Sequence, residues 1–177
     1  NYAAFIADDG DDNDGNIHMQ QSDNLCNIID DNYNNYNFDK LYLDIFNQES
    51  TPVGPRSEGC KDAINRRLDK GALLVNYTGH GGESGLTSER IIDIDQIKDW
   101  ENYDKLPLFV TATCEFGRLD NPELTSGGEH IILSPDGGGV ALLTTTRYVY
   151  SHLNYNLNTN FINSLFLSSF LNSTHEL

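Results

Sequence analysis

Positive charge is scarce in this chain of 177 residues. Lys and Arg number 11 against 27 Asp and Glu, for a formal net charge of −16. Nucleic acid is excluded as a partner, because phosphate backbones are bound by neutralising them with Lys and Arg. Docking on an anionic lipid surface is disfavoured for the same reason. Long apolar runs are missing too. None approaches the roughly 18 residues that read as a membrane helix. Cysteine is sparse, with Cys26, Cys60 and Cys114 alone. There is no C-x-x-C, and no Cys stands near a His at zinc-ligand spacing, so no metal site is expected from thiols. In an exported protein Cys26 and Cys60 would be the natural disulfide pair. Otherwise all three are buried thiols, a common place for Cys. The start, Asn1-Tyr2-Ala3-Ala4-Phe5-Ile6, has no Met, no basic region and no signal-peptide pattern. It reads as a single domain, residues 1–177, excised from something longer.

What is present is a core. Hydrophobic residues make up 38% and aromatics 10%, enough to argue against wholesale disorder. Five short apolar runs read as strands: 2–7, 40–45, 72–77, 108–112 and 139–145. Their alternation is weak, which suits strands buried on both faces of a parallel sheet. Helical patterns lie between them. Leu25, Ile28 and Ile29 share a face. Cys60, Ile64 and Leu68 recur at i, i+4, i+8, with Gly71 closing that helix. Residues 91–100 form a shorter helix. Ser126-x-x-Glu129 is a capping box ahead of Ile131-Ile132-Leu133. Leu153, Leu157, Phe161 and Leu165 make one stripe of a helix from about 154 to 169. Strand and helix alternate, which implies right-handed crossovers and an α/β class with a mostly parallel sheet and helices on both faces.

In such sheets the site lies beyond the carboxyl ends of the strands. Those ends carry Asp8-Asp9, Asp44, Gly79-His80-Gly81-Gly82, Thr113-Cys114-Glu115 and Thr146-Arg147. A histidine ending one strand and a cysteine ending its neighbour can share one cleft. Imidazole then activates the thiol and later protonates a leaving amine. The glycines around His80 leave backbone N–H groups uncovered, so those of Gly81 and Cys114 are candidates for an oxyanion hole. Glu115 follows the nucleophile and is expected to face away from it, into a pair with Arg147 or Arg90. His18, His130, His152 and His175 have no partner spacing and read as structural or surface residues. The run Asp8–Gly15 has five Asp in eight positions. It suits calcium in ligand type but fails the EF-hand spacing, and a solvated acidic turn is the preferred reading.

Asn76-Tyr77-Thr78-Gly79-His80-Gly81-Gly82 and Thr111-Ala112-Thr113-Cys114-Glu115-Phe116 resemble the caspase-like cysteine peptidases of the gingipain family. Ala7-Asp8-Asp9-Gly10, Lys40 to Asp44, Glu89-Arg90, Ser126 to Glu129 and Thr144 to Arg147 extend the resemblance from about residue 2 to residue 166. Within the family the chain is most similar to the type IX secretion signal peptidase or sortase of Bacteroidetes. The resemblance implies a caspase-like three-layer sandwich and a dyad of His80 and Cys114, with no cofactor required. It implies protein or peptide substrates, namely the C-terminal sorting domains of secreted cargo, removed through an acyl-enzyme. A lipopolysaccharide amine would be the acceptor, other type IX secretion components the partners, and the cell surface, outer membrane or exterior the location. A general gingipain-like protease and a non-catalytic caspase-like binding domain are the alternatives. Family members orient the histidine with an acid. By position that acid is Asp23, with Asp9 and Asp44 as rivals.

Overall fold

In the computed structural model, which describes residues 1–10, 14–33 and 35–167, the chain runs β1 (Tyr2–Ala7), α1 (Ile17–Asp30), β2 (Asn37–Tyr42), β3 (Glu49–Thr51), β4 (Gly54–Arg56), α2 (Glu58–Lys70) and β5 (Leu74–Thr78). It continues through β6 (Gly81–Gly82), β7 (Gly85–Leu86), β8 (Ile92–Asp93), α3 (Ile94–Lys98), β9 (Leu108–Ala112), α4 (Gly127–Leu133), β10 (Ala141–Thr144) and α5 (Ser151–Ile162). Five strands form one sheet in the order β10-β9-β5-β1-β2. Every neighbouring pair is parallel.

The sheet is buried on both faces, which is why its strands read as nearly continuous apolar runs. On one face Ala4, Ile6, Val75, Tyr77 and Phe109 pack with Cys60, Ile64 and Leu68 of α2, Ile97 of α3 and Ile131 of α4. On the other, Ala3, Phe5, Ala7, Leu74 and Val110 pack with Leu25, Cys26 and Ile29 of α1 and Ile162 of α5. The alternation of Ala3, Phe5 and Ala7 against Ala4 and Ile6 follows from side chains pointing to opposite faces along a strand. The result is the expected α/β sandwich of three layers. Among the described residues no helix is long and apolar enough to cross a membrane.

Local signals mostly hold. The capping box forms: Ser126 N–H donates to Glu129 Oε2 at 2.7 Å, and Glu129 N–H donates to Ser126 Oγ at 3.3 Å. Such a cap is worth about 1 kcal/mol. Gly71 ends α2 with φ of 88°, a conformation that costs glycine least.

Three expectations are corrected. The second strand lies at 37–42 instead of 40–45. Leu43–Ile45 tighten into a 3₁₀ turn that buries Leu43. Residues 92–93 are strand, so the helix expected over 91–100 shrinks to α3. Of the Leu153, Leu157, Phe161 and Leu165 stripe the three leucines are about half exposed while Phe161 packs against the core, and the buried face of α5 is Asn154, Asn158 and Ile162. Those asparagines face inward because their amides are satisfied there. Asn154 Nδ2 donates to Thr113 O at 3.0 Å, and Asn158 and Asn76 exchange hydrogen bonds of 2.8 and 2.9 Å. Residues 168 and 169, given to that helix from sequence, lie outside the described residues. Of the two readings of Cys26 and Cys60, the buried thiols hold and the disulfide does not form. They are free thiols in cores on opposite faces of the sheet.

Candidate active site

The strand order places the site. From β1 the chain turns one way to β2, and the rest of the sheet, β5, β9 and β10, grows the other way. The switch point lies between β1 and β5, and ligands bind outside the strand ends at such a point. Asp8 leaves β1 there and Gly79-His80 leaves β5 there. Across from them, Thr78 pairs with Ala112 of β9, and Gly79 N–H donates to Ala112 O at 3.3 Å. The His80 and Cys114 segments therefore leave adjacent parallel strands. A Cβ on Gly81 would stand 2.6 Å from Thr113 Oγ1, so the two segments stay in contact past the strand ends.

The backbone of His80 is clamped from both sides. Its N–H donates to Asp8 Oδ2 at 2.9 Å. Its carbonyl accepts from Tyr77 Oη and from Thr87 N–H at 3.1 Å. Gly79 has no substitute here: an added Cβ would meet Asp8 Cβ at 2.4 Å and Tyr77 Oη at 2.5 Å. The imidazole is half exposed, and its Nε2 lies 2.7 Å from Asp14 Oδ2. Nδ1 is then the ring atom turned away from Asp14. The ring of His18 meets His80 edge-on at 5.0 Å, and His18 Nε2 is 3.5 Å from the same Asp14 oxygen. The buried His18 thus packs directly against His80 and Asp14.

Cys114 follows Thr113, whose carbonyl is held by Thr145 Oγ1 and Asn154 Nδ2. The Cys114 thiol is half-buried and donates to Val149 O at 3.5 Å. Glu115, directly after it, takes φ of 51°. A left-handed non-glycine residue costs on the order of 1–2 kcal/mol, and such strain gathers at functional sites. Its carboxylate does turn to an arginine, though not an expected one. Arg118 Nη1 lies at 3.6 Å from Glu115, while Arg147 is taken by Asp120 at 2.6 Å. The Thr87-to-His80 bond also fixes the amide of Gly81. In an antiparallel ladder it makes Gly81 and Leu86 a non-hydrogen-bonded pair, whose N–H groups point away from the partner strand.

Asp23 does not meet His80. Its Oδ1 accepts from Lys40 Nζ at 2.7 Å and from Tyr42 Oη at 2.6 Å, and these bonds hold its carboxyl below the usual range. Asp9 accepts from Gln48 Nε2 at 2.8 Å, and Asp44 is an exposed residue of the 3₁₀ turn. The carboxylate on the histidine is Asp14, at the chain's entry to α1. A charge-assisted hydrogen bond contributes about 1.5–3 kcal/mol. Asp14→Asn is therefore expected to lower kcat/KM by roughly 10- to 100-fold, and Asp23→Asn to leave it nearly unchanged. Peptide turnover by the two variants checks this, and equal losses would contradict the assignment.

Asp8 is 3% exposed, and burial pushes its carboxyl up to about 7, opposed by the His80 N–H. Its ordinary value is 3.8. Between those two values the folded chain binds more protons than the unfolded one, so stability falls as pH rises and levels off above about 7. Asp8→Asn keeps an acceptor for His80 but has no proton to lose. Urea melts from pH 4 to 8 are expected to show a shallower decline in this variant than in the wild type; parallel curves would contradict it.

Oxygens of Asp8, Asp9 and Glu89 lie within 4.8 Å of one another, as do ligand atoms of Asp8, His18 and His80. The first set has the oxygen chemistry of a hard cation such as calcium. Residues 11–13 of the acidic run lie outside the described residues.

Sequence reasoning missed Asp14, His18 and Tyr77. The first two stand at i and i+4 at the start of a helix, a spacing that puts them side by side.

Known proteins bear on this geometry. The crystal structure of the Arg-specific cysteine proteinase gingipain R superposes with a TM-score of 0.72 at 20% identity, covering 94% of this chain and 37% of its own. The complex of Porphyromonas gingivalis RgpB pro- and mature domains gives 0.67 at 17% identity, covering 92% of this chain and 37% of its own. These likenesses are of fold, and the chain spans about 37% of the gingipain chains it matches. No curated protein matches it significantly. Residues 1–175 match peptidase family C25. With the match running over almost all of a chain that folds as gingipain R does, the protein belongs to peptidase family C25.

Proposed function

We propose that the chain is the catalytic core of a cysteine endopeptidase, with Cys114 as nucleophile and His80 as general base and acid. The observation that carries this is the departure of both residues from the adjacent, parallel ends of β5 and β9, next to the switch point. His80 takes the thiol proton, and the sulfur attacks the scissile carbonyl carbon. Gly81 and Cys114 N–H groups receive the negative charge on the oxygen. The C–N bond breaks as His80 returns the proton to the departing amine, leaving a thioester on Cys114. Water or a second amine then attacks the thioester, gives its proton to His80 and releases the sulfur. Asp14 steadies the imidazolium formed in between. Hydrolysis and transpeptidation differ only in the attacking group.

The substrates in this reading are C-terminal sorting domains of type IX secretion cargo, at the cell surface, with a lipopolysaccharide amine as acceptor. Its support is the set of short segments quoted above, Thr144 to Arg147 and Thr111 to Glu115 foremost. The likeness to gingipain R favours a second reading, a general protease. The full protein incubated with a cargo C-terminal domain and, separately, with casein distinguishes them. Cleavage confined to the cargo junction supports the first; comparable cleavage of casein supports the second.

A further inference from the structure

A hollow of about 250 Å³ opens beside the catalytic histidine, lined by His80, Gly82, Ser84, Thr87, Ser88 and Arg90 among others. Its lining has one permanent charge, and that charge is positive. This is unusual in a chain of net charge −16. The other arginines near the site are occupied: Arg118 by Glu83, Glu115 and Asp120, and Arg147 by Asp120. Among the described residues no carboxylate stands within ion-pair distance of Arg90.

The backbone holds Arg90 in place. Its φ is 54°, that of Thr87 is 62°, and Arg90 N–H donates to Thr87 O at 3.3 Å. The flanking Glu89 and Ile91 are buried, so the exposed side chain between them has a fixed base. Glu89 is accounted for elsewhere, its carboxylate lying with those of Asp8 and Asp9. A turn that strains two residues to present an unpaired guanidinium is a feature in search of an anion.

The chemistry of the dyad says which part of a substrate meets it. His80 protonates the departing amine, so a hollow that shares His80 faces the residues after the scissile bond. We propose that this hollow is the subsite for an acidic side chain close behind the cleaved bond, and that Arg90 is the residue that selects it. The inference rests on the peptidase reading above and deepens it. The surrounding negative charge repels acidic peptides in general, so Arg90 is where such a peptide gains acceptance.

Positional profiling tests this. The full protein is incubated with a peptide library made from a digested proteome, and residues around each new cut are read by mass spectrometry. Asp and Glu are expected to be enriched about five-fold just after the cut, the range of an exposed ion pair. Arg90→Gln should abolish that enrichment while cuts before neutral residues persist, Arg90→Lys should retain it, and Arg90→Glu should replace it with Lys and Arg. Cuts without acidic enrichment, or enrichment unchanged in Arg90→Gln, would overturn the subsite and leave the peptidase reading intact. An absence of cuts would overturn both.

Discussion

Cys114→Ala is expected to abolish peptide-bond cleavage, by roughly 10⁴-fold or more, with the fold retained. In the proposed mechanism the thiol is the attacking atom, carried just past the end of β9, the strand paired with the one that leads to His80. The structural cost is small. Cys114 is half-buried, its thiol makes one long bond to Val149 O at 3.5 Å, and alanine removes a single sulfur. The loss should stay within about 1 kcal/mol, as for substitutions outside packed cores. Turnover of a fluorogenic peptide and a urea melt measure the two effects. Wild-type turnover in this variant would end the account. Cys26→Ala and Cys60→Ala should remain active, since both thiols lie in the core and burial pushes each up to about 12.

His80→Ala is expected to be nearly as severe, roughly 10³-fold or more, because it removes both the base for the thiol and the acid for the amine. Its fold should also survive. The bonds that clamp this position, to Asp8 Oδ2 and from Tyr77 Oη and Thr87 N–H, use backbone atoms of His80. An unfolding midpoint close to wild type with turnover lost assigns the effect to the ring. Loss of both together would make His80 a structural residue.

The parts of this molecule legible in its sequence are those set by local pattern. Strands β1 and β9 fall where their apolar runs fall, and Cys60, Ile64 and Leu68 bury one face of α2 as their spacing dictates. That the His80 and Cys114 segments leave neighbouring strands was legible, because the apolar runs of β5 and β9 are buried strands that pair side by side. The face of α5 was not, because hydrophobicity ranks leucine above asparagine. Burial here was decided by amides that find partners in Asn76 and Thr113. The acid on His80 was not legible either. Asp14 lies 66 positions away in a run of five aspartates, and only the three-dimensional path of that loop singles it out. Asp23 had a position that looked suitable, but Lys40 and Tyr42 of β2 claim its carboxylate.

The central claim is that the His80 ring exchanges a proton with the Cys114 thiol. The rate at which iodoacetamide alkylates Cys114 tests it most directly, measured against pH in wild type and in His80→Ala. Alkylation counts thiolate, and the buried Cys26 and Cys60 stay silent at neutral pH. The account predicts fast alkylation in the wild type near neutrality, rising with moderate salt as the field of the exposed carboxylates is screened, and a sharp fall in His80→Ala. Superimposable profiles for the two proteins would mean that ring and thiol never meet, and the dyad would have to be abandoned.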